Sequence, residues 1–248
     1  MKNLELYKEI IIPDMFGQNE YDENEIVLDF IDNINEKYGA CCHSGASKLC
    51  IVPQESEYVI KLPFLGEIYY DENGKPVLNC FNYAVTETRW DYCRAELELY
   101  NKAADAGFAI FLAKTEEFGT TKSGHPMYIQ EKVNVYGDCR HKYKKDVSDN
   151  AKSKTATVLE KYRDRYMHNR LNDEMTEEED FIGYTFAETG ETFLSYLIDA
   201  YSYENVAKFA KWVYENAREI AADLHWGNIG FRESDGTPCL LDFSGFYD

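Results

Sequence analysis

Asp223-Leu-His225-Trp-Gly-Asn228-Ile-Gly-Phe-Arg-Glu-Ser-Asp235-Gly236-Thr-Pro-Cys239-Leu-Leu-Asp242 gathers two aspartates, a histidine and an asparagine at the ends of one short stretch of chain. Two apolar runs, Ile229-Gly-Phe and Cys239-Leu-Leu, flank an Asp-Gly pair, the pattern of two antiparallel strands joined by a tight turn. In such a hairpin the numbers of paired residues sum to a constant. A turn centred on Asp235-Gly236 sets it at 471, and Asn228 with Asp242 comes to 470. The sequence therefore predicts that Asn228 and Asp242 face each other across the strands. Two oxygen donors so placed are able to share one hard cation, and Asp223 sits on the loop leading in.

Upstream, Glu57-Tyr-Val-Ile-Lys61-Leu-Pro-Phe reads as a β-branched strand carrying a lysine. Thr88 to Ala106 has helical composition, and two of its glutamates compete to meet that lysine. Spacing separates them. From Glu96, the offsets of three, four and seven residues reach Leu99, Tyr100 and Ala103, a face that packs inward; from Glu98 they reach Asn101, Lys102 and Asp105, a solvated face. Tyr69 to Leu78 reads as an inserted hairpin turning at Asn73-Gly74. Phe108–Ala113 and Met127–Val133 read as further strands. Asn24 is placed as the cap of a helix bearing Ile26, Val27, Phe30, Ile31 and Ile34 and ending near Gly39. Thr155–Arg170 and Tyr203–Ala221 read as helices; in the latter, Val206, Phe209, Ala210, Val213, Ala217 and Ile220 form one apolar stripe, which is core.

In this order the parts resemble the protein-kinase-like superfamily, which includes the protein kinases and the aminoglycoside and choline phosphotransferases. Val59-Ile60-Lys61 is similar to the Val-Ala-Ile-Lys strand, and Asp223-x-x-x-x-Asn228 with Asp242-Phe-Ser-Gly245 is similar to the catalytic loop and metal aspartate. The resemblance implies an α+β, two-lobed fold: residues 1–133 as an antiparallel-sheet N-lobe containing the Glu96 helix, residues 134–248 as a mainly helical C-lobe. It implies ATP and Mg²⁺. Lys61 would hold the α- and β-phosphates, oriented by Glu96; Asn228 and Asp242 would ligate the metal; Asp223 would orient the acceptor hydroxyl and take its proton. His225 stands where protein kinases carry a lysine near the transferring phosphate. Gln130 is the expected gatekeeper, and the backbone of Glu131 to Val133 the expected purine contact. Between the first two strands, Gly45, Ala46 and Ser47 would offer N–H groups and a hydroxyl to phosphate, although a plain tight turn at Gly45 accounts for the same residues. No Gly-x-x-x-x-Gly-Lys-Ser/Thr run occurs, so a P-loop is excluded.

The subclass stays open. Asp223-Leu-His225-x-Gly-Asn228 is closer to the Asp-x-His-x-x-Asn of the small-molecule branch, whereas the Val-Ile-Lys strand, the Glu96 helix and Tyr128-Ile-Gln-Glu-Lys-Val133 favour the protein kinases. Ala221-Ala222 replaces the family's His-Arg or His-Gly, and the sequence stops six residues after Asp242, so a compact form lacking an activation segment is expected. Acceptor-binding surface is then expected from residues 134–205. Transfer of a phosphoryl group to a protein hydroxyl is the leading expectation, transfer to a cationic small molecule the alternative, and a pseudokinase binding module the third.

Composition bounds the partners. A net charge of −19 argues against nucleic acid, because a phosphate backbone would be repelled overall. No apolar run reaches membrane-spanning length and the first residues lack signal-peptide form, so a cytoplasmic protein with no membrane partner is expected. Seven cysteines without a Cys-x-x-Cys pair suit reduced thiols, and Cys41-Cys42-His43 with Cys50 matches no zinc spacing. Arg140–Arg170 carries ten basic residues against four acidic ones, and Asp173–Glu191 eight acidic ones and no basic one. These read as solvated helical faces, or as a polar partner-binding face in which Glu177–Asp180 would suit a cationic acceptor.

Overall fold

Strand alternation explains the first layer of the structure. The computed structural model describes residues 4–12, 20–44, 48–63, 67–70, 76–79, 91–139, 146–166 and 175–244. It has α+β architecture and divides into two compact units, Met1–Glu98 with Lys114–Lys132, and Leu99–Ala113 with Val133–Asp248.

In the first unit, β1 (Ala40–Ser44), β2 (Lys48–Pro53), β3 (Tyr58–Pro63), β6 (Thr115–Thr120) and β7 (Pro126–Glu131) form a sheet in the order β1-β2-β3-β7-β6, every pair antiparallel. Side chains alternate across it. Leu49, Ile51, Ile60, Leu62, Met127 and Ile129 share one face and a core with Leu4 and Tyr7 of the N-terminal 3₁₀ turn, Ile10 just after it, and Ile31 and Ile34 of α1 (Glu20–Tyr38). The registers Cys50↔Lys61, Lys61↔Tyr128 and Thr115↔Gln130 put these polar side chains on the other face. Helix α1 begins four residues before Asn24, so Asn24 lies within it and is not its cap. β4 (Glu67–Tyr70) and β5 (Pro76–Asn79) form the inserted hairpin; its Asn73-Gly74 turn lies outside the described residues.

In the second unit, α4 (Asp149–Tyr166), α5 (Glu177–Phe186), α6 (Glu191–Tyr201), α7 (Tyr203–Asn216) and α8 (Arg218–Ala222) accompany a sheet of order β10-β9-β8, from Pro238–Leu240, Ile229–Arg232 and Val133–Val135. A single turn, α3 (Tyr136–Cys139), follows β8. Aromatic side chains fill the core: Phe186, Phe193, Phe209 and Phe231 are fully buried, and Phe111 stacks on Phe209 with centroids 4.3 Å apart. Two expectations change here. Phe108–Ala113 is not a strand but a 3₁₀ turn, Ala109–Phe111, after which Leu112 bridges Leu240. The helix expected over Tyr203–Ala221 breaks at Ala217, whose φ of −154° is not helical, giving α7 and α8. Leu99, Ala103, Phe111 and Leu112 belong to this core, which is why residues 99–113 fall in the second unit although they lie before the expected boundary at 133. Among the described residues no helix is long and apolar enough to cross a membrane.

Candidate functional site

Helix α2 (Tyr92–Asp105) presents Glu96 to the polar face of the first unit's sheet. Asp91 caps the helix, accepting a hydrogen bond from the N–H of Arg94 at 2.9 Å, and its other oxygen accepts from the hydroxyl of Tyr128 at 2.6 Å. This fixes the helix start against β7. One turn on, Glu96 is fully buried. Lys61 Nζ donates to both of its oxygens, at 3.0 and 2.8 Å. Gln130 Nε2 donates to Oε1 at 2.9 Å and to Thr115 Oγ1 at 2.9 Å, and Lys48 Nζ lies 3.4 Å from Oε2. A buried carboxylate persists only when its charge is paired and its lone pairs are filled, and here both oxygens are engaged. Glu98, by contrast, has a 66% exposed side chain and pairs with Arg94 on the surface.

Gln130, the expected gatekeeper, turns its side chain to Glu96 and Thr115. Its amide holds Glu96 and Thr115 at 3% exposure. The stretch expected to meet a purine is also partly occupied: the N–H of Glu131 donates to Lys114 O and that of Lys132 to Glu57 O, each at 2.8 Å. Neither donor is left for a base. Val133 is paired with Arg232 in β8. Gly45, Ala46 and Ser47 lie outside the described residues.

In the second unit α8 ends at Ala222, and Asp223 is its half-buried C-terminal cap residue. Leu224 anchors the loop in the core. Asn228 closes it: its buried amide donates from Nδ2 to Asp223 O at 2.8 Å and to Asp223 Oδ2 at 3.3 Å, while its own N–H donates to His225 O at 2.9 Å. The carbonyl oxygen of the Asn228 side chain makes no hydrogen bond with another described residue. His225 is exposed, and its Nδ1 accepts from the N–H of Gly227 at 3.0 Å. A neutral ring so held carries its proton on Nε2.

The hairpin that follows is real, but its register is one residue off the expected one. Paired residues sum to 469, as in Leu240↔Ile229 and Pro238↔Phe231. Asn228 therefore faces Leu241, whose N–H donates to Asn228 O at 2.9 Å, and not Asp242. The turn is longer than two residues: Glu233 to Gly236 connect the strands, with Gly236 at φ 72°. Asp242 lies past the end of the ladder and adopts φ 51°, so strand alternation no longer sets its direction. Left-handed backbone at a non-glycine residue costs about 1–3 kcal/mol and clusters where function demands it.

No protein-family model, curated protein or solved structure matches the chain. Local geometry therefore carries the functional argument.

Sequence reading missed three members of the site. Asp91 precedes the helix as an ordinary N-cap, a signal available in Asp91-Tyr-Cys-Arg. Thr115 opens β6, a polar strand with no apolar alternation. Lys48 shares a face with Lys61 once the register is known. Two of the acidic residues find partners within the unit. Thr176 and Glu179 form a reciprocal capping box at the start of α5, Lys161 binds both oxygens of Glu179 at 2.8 and 3.0 Å, and Tyr166 donates to Asp180 at 2.8 Å. Acids in a first helical turn are favoured by the helix dipole. The thiols are unreactive where burial is deep: burial pushes Cys42 up to about 12 and Cys93 well above the usual range. Among the described residues no group of three or more His, Cys, Asp or Glu side chains is arranged to hold a metal.

Proposed function

We propose that the chain is a Mg²⁺-ATP-dependent phosphotransferase of protein-kinase-like fold that moves the γ-phosphoryl group to a hydroxyl acceptor, with a protein acceptor as the leading reading. The observation that carries it is the buried ion pair between a strand lysine, Lys61, and a helical glutamate, Glu96, 35 residues on. An ammonium held by both oxygens of a buried carboxylate keeps its charge and its position, which is what a phosphate-binding lysine requires.

In this reading Asn228 and Asp242 would be the magnesium ligands. They supply one amide oxygen and one carboxylate, hard donors of the kind Mg²⁺ takes alongside waters and phosphate oxygens. The amide hydrogens of Asn228 point to Asp223, so its oxygen is the end that remains for a cation. Bound there, the ion would neutralise the charge that develops on the phosphoryl oxygens. Asp223 is oriented through its carboxylate by Asn228 and sits half-buried on a loop, where an acceptor hydroxyl can reach it and give up its proton. His225, whose Nδ1 accepts from the Gly227 N–H, would offer its Nε2 side to anionic oxygen. Little covalent chemistry is asked of the chain; positioning and electrostatics supply the acceleration.

The Asp-x-His-x-x-Asn pattern keeps a small-molecule acceptor as the second reading. One experiment addresses both. Wild type and Asp242→Asn are melted with and without Mg²⁺-ATP, then given γ-labelled ATP with a basic protein and, separately, an aminoglycoside panel. Wild type should be stabilised by Mg²⁺-ATP, by about 2.7 kcal/mol at a hundredfold excess over Kd, and Asp242→Asn should lose most of that gain. Label on the protein or on a panel member decides the acceptor class. A wild type that neither shifts nor transfers would rule the reading out.

A further inference from the structure

Two ammonium groups converge on Glu96. Lys61 Nζ engages both oxygens within 3.0 Å, and Lys48 Nζ lies 3.4 Å from Oε2. Both lysines are buried, at 4% and 2% exposure. Register permits this convergence: Cys50 pairs with Lys61, and Lys48 precedes Cys50 by two residues on β2, so all three share one face of the sheet. Its neighbours Leu49 and Ile51 point to the opposite face and into the core.

We propose that Lys48 is a second phosphate-binding residue, receiving the nucleotide's phosphate oxygens together with Lys61; this rests on the phosphotransferase reading above. Two like charges beside one buried carboxylate repel each other, and an arriving anion relieves that repulsion. The distances assign the roles. Lys61, bound through two short contacts, stays with Glu96. Lys48, 3.4 Å from Glu96 Oε2, is held less closely to that carboxylate than Lys61 is, and in the proposal it is the ammonium that turns toward a phosphate oxygen. Lysine suits this task, being a flexible point charge with three rotatable donors.

The test uses the full chain as wild type, Lys48→Met, Lys48→Arg, Lys61→Met and the double Met variant, each titrated with Mg²⁺-ATP and with adenosine, which lacks phosphates. Lys48→Met should weaken Mg²⁺-ATP binding about tenfold, the loss of one charged hydrogen bond, and leave adenosine within about twofold of wild type. Lys48→Arg should retain most of the Mg²⁺-ATP affinity. The double variant should bind Mg²⁺-ATP no better than adenosine. Lys48→Met binding Mg²⁺-ATP as wild type does, or losing both ligands by the same factor, would overturn the assignment, because a merely structural lysine does not distinguish them. If Lys48→Met does not fold, Lys48→Gln is judged by the same criteria. Wild type binding neither ligand would bring down the phosphotransferase reading and this assignment together; wild-type binding with an indifferent Lys48→Met brings down this assignment alone.

Discussion

Glu96 in the first unit and Asp223 in the second are the two carboxylates to which the proposed reaction gives a role, and the chain builds them in opposite surroundings. Glu96 is fully buried on a helix facing a sheet, its oxygens engaged by Lys61, Lys48 and Gln130. Asp223 is half-buried on the loop after a short helix, where Asn228 orients it. In the proposed reaction the first must stay charged and still, while the second must take up and release a proton beside a substrate. Burial with dense pairing locks a charge, and loop placement leaves one accessible. The contrast has an energetic corollary: mutations in the first region should be felt as stability, and those in the second as chemistry.

The largest expected effect is at Glu96. Glu96→Ala leaves buried ammonium groups without their carboxylate and should destabilise the chain by about 3–5 kcal/mol in urea unfolding. Asp223→Ala should change stability by less than about 1 kcal/mol. Comparable losses from the two would erase the distinction between the regions.

Tyr128→Phe sharpens the comparison on a smaller scale. Burial, then the hydrogen bond to the Asp91 carboxylate, raises the pKa of Tyr128 well above its usual range, so its hydroxyl remains a donor. Removing that donor from a buried charged acceptor should cost about 1–3 kcal/mol and loosen the start of α2. A melting temperature unchanged from wild type would show that the helix start does not depend on this contact.

The smallest effect concerns pH in the second unit. Burial raises the pKa of Glu179, but the Lys161 ammonium and the Thr176 cap outweigh it and hold the carboxyl below its ordinary value of 4.5. A depressed carboxylate contributes stability that is present above its unfolded pKa and lost as pH falls through the folded one. Wild type should therefore lose stability below about pH 4.5 more steeply than Glu179→Gln. Parallel acid-unfolding curves would contradict this.

Periodicity explains which parts of this site were legible in the sequence. Offsets of three, four and seven residues put Glu96 inside and Glu98 outside, and the structure places them so because a helix has one packed face. Lys61 was visible as one lysine in a β-branched run. The register of the Asn228–Asp242 hairpin is not, since Asp235-Gly236 has the pattern of a two-residue turn, whereas Gly236 takes the left-handed position at the end of a longer connection. One residue of slip changes every partner. Helix α6 escaped notice because Phe193 to Ile198 are all buried, leaving no polar face to mark a period. Phe108–Ala113 shows the related ambiguity of a short apolar run, which fits a strand or a packed turn equally well. Lys48 and Thr115 became partners only through pairings between distant strands, which no local pattern contains.

In the proposed reaction Asp223 serves the chemistry, and Lys61 with Glu96 serves the nucleotide. The most direct test of this division is Asp223→Asn, with Mg²⁺-ATP affinity and phosphoryl transfer measured on the same preparation. Affinity should stay close to wild type and transfer should fall by about 10²–10⁴-fold, the usual contribution of a positioned base. Transfer at the wild-type rate by Asp223→Asn would contradict it.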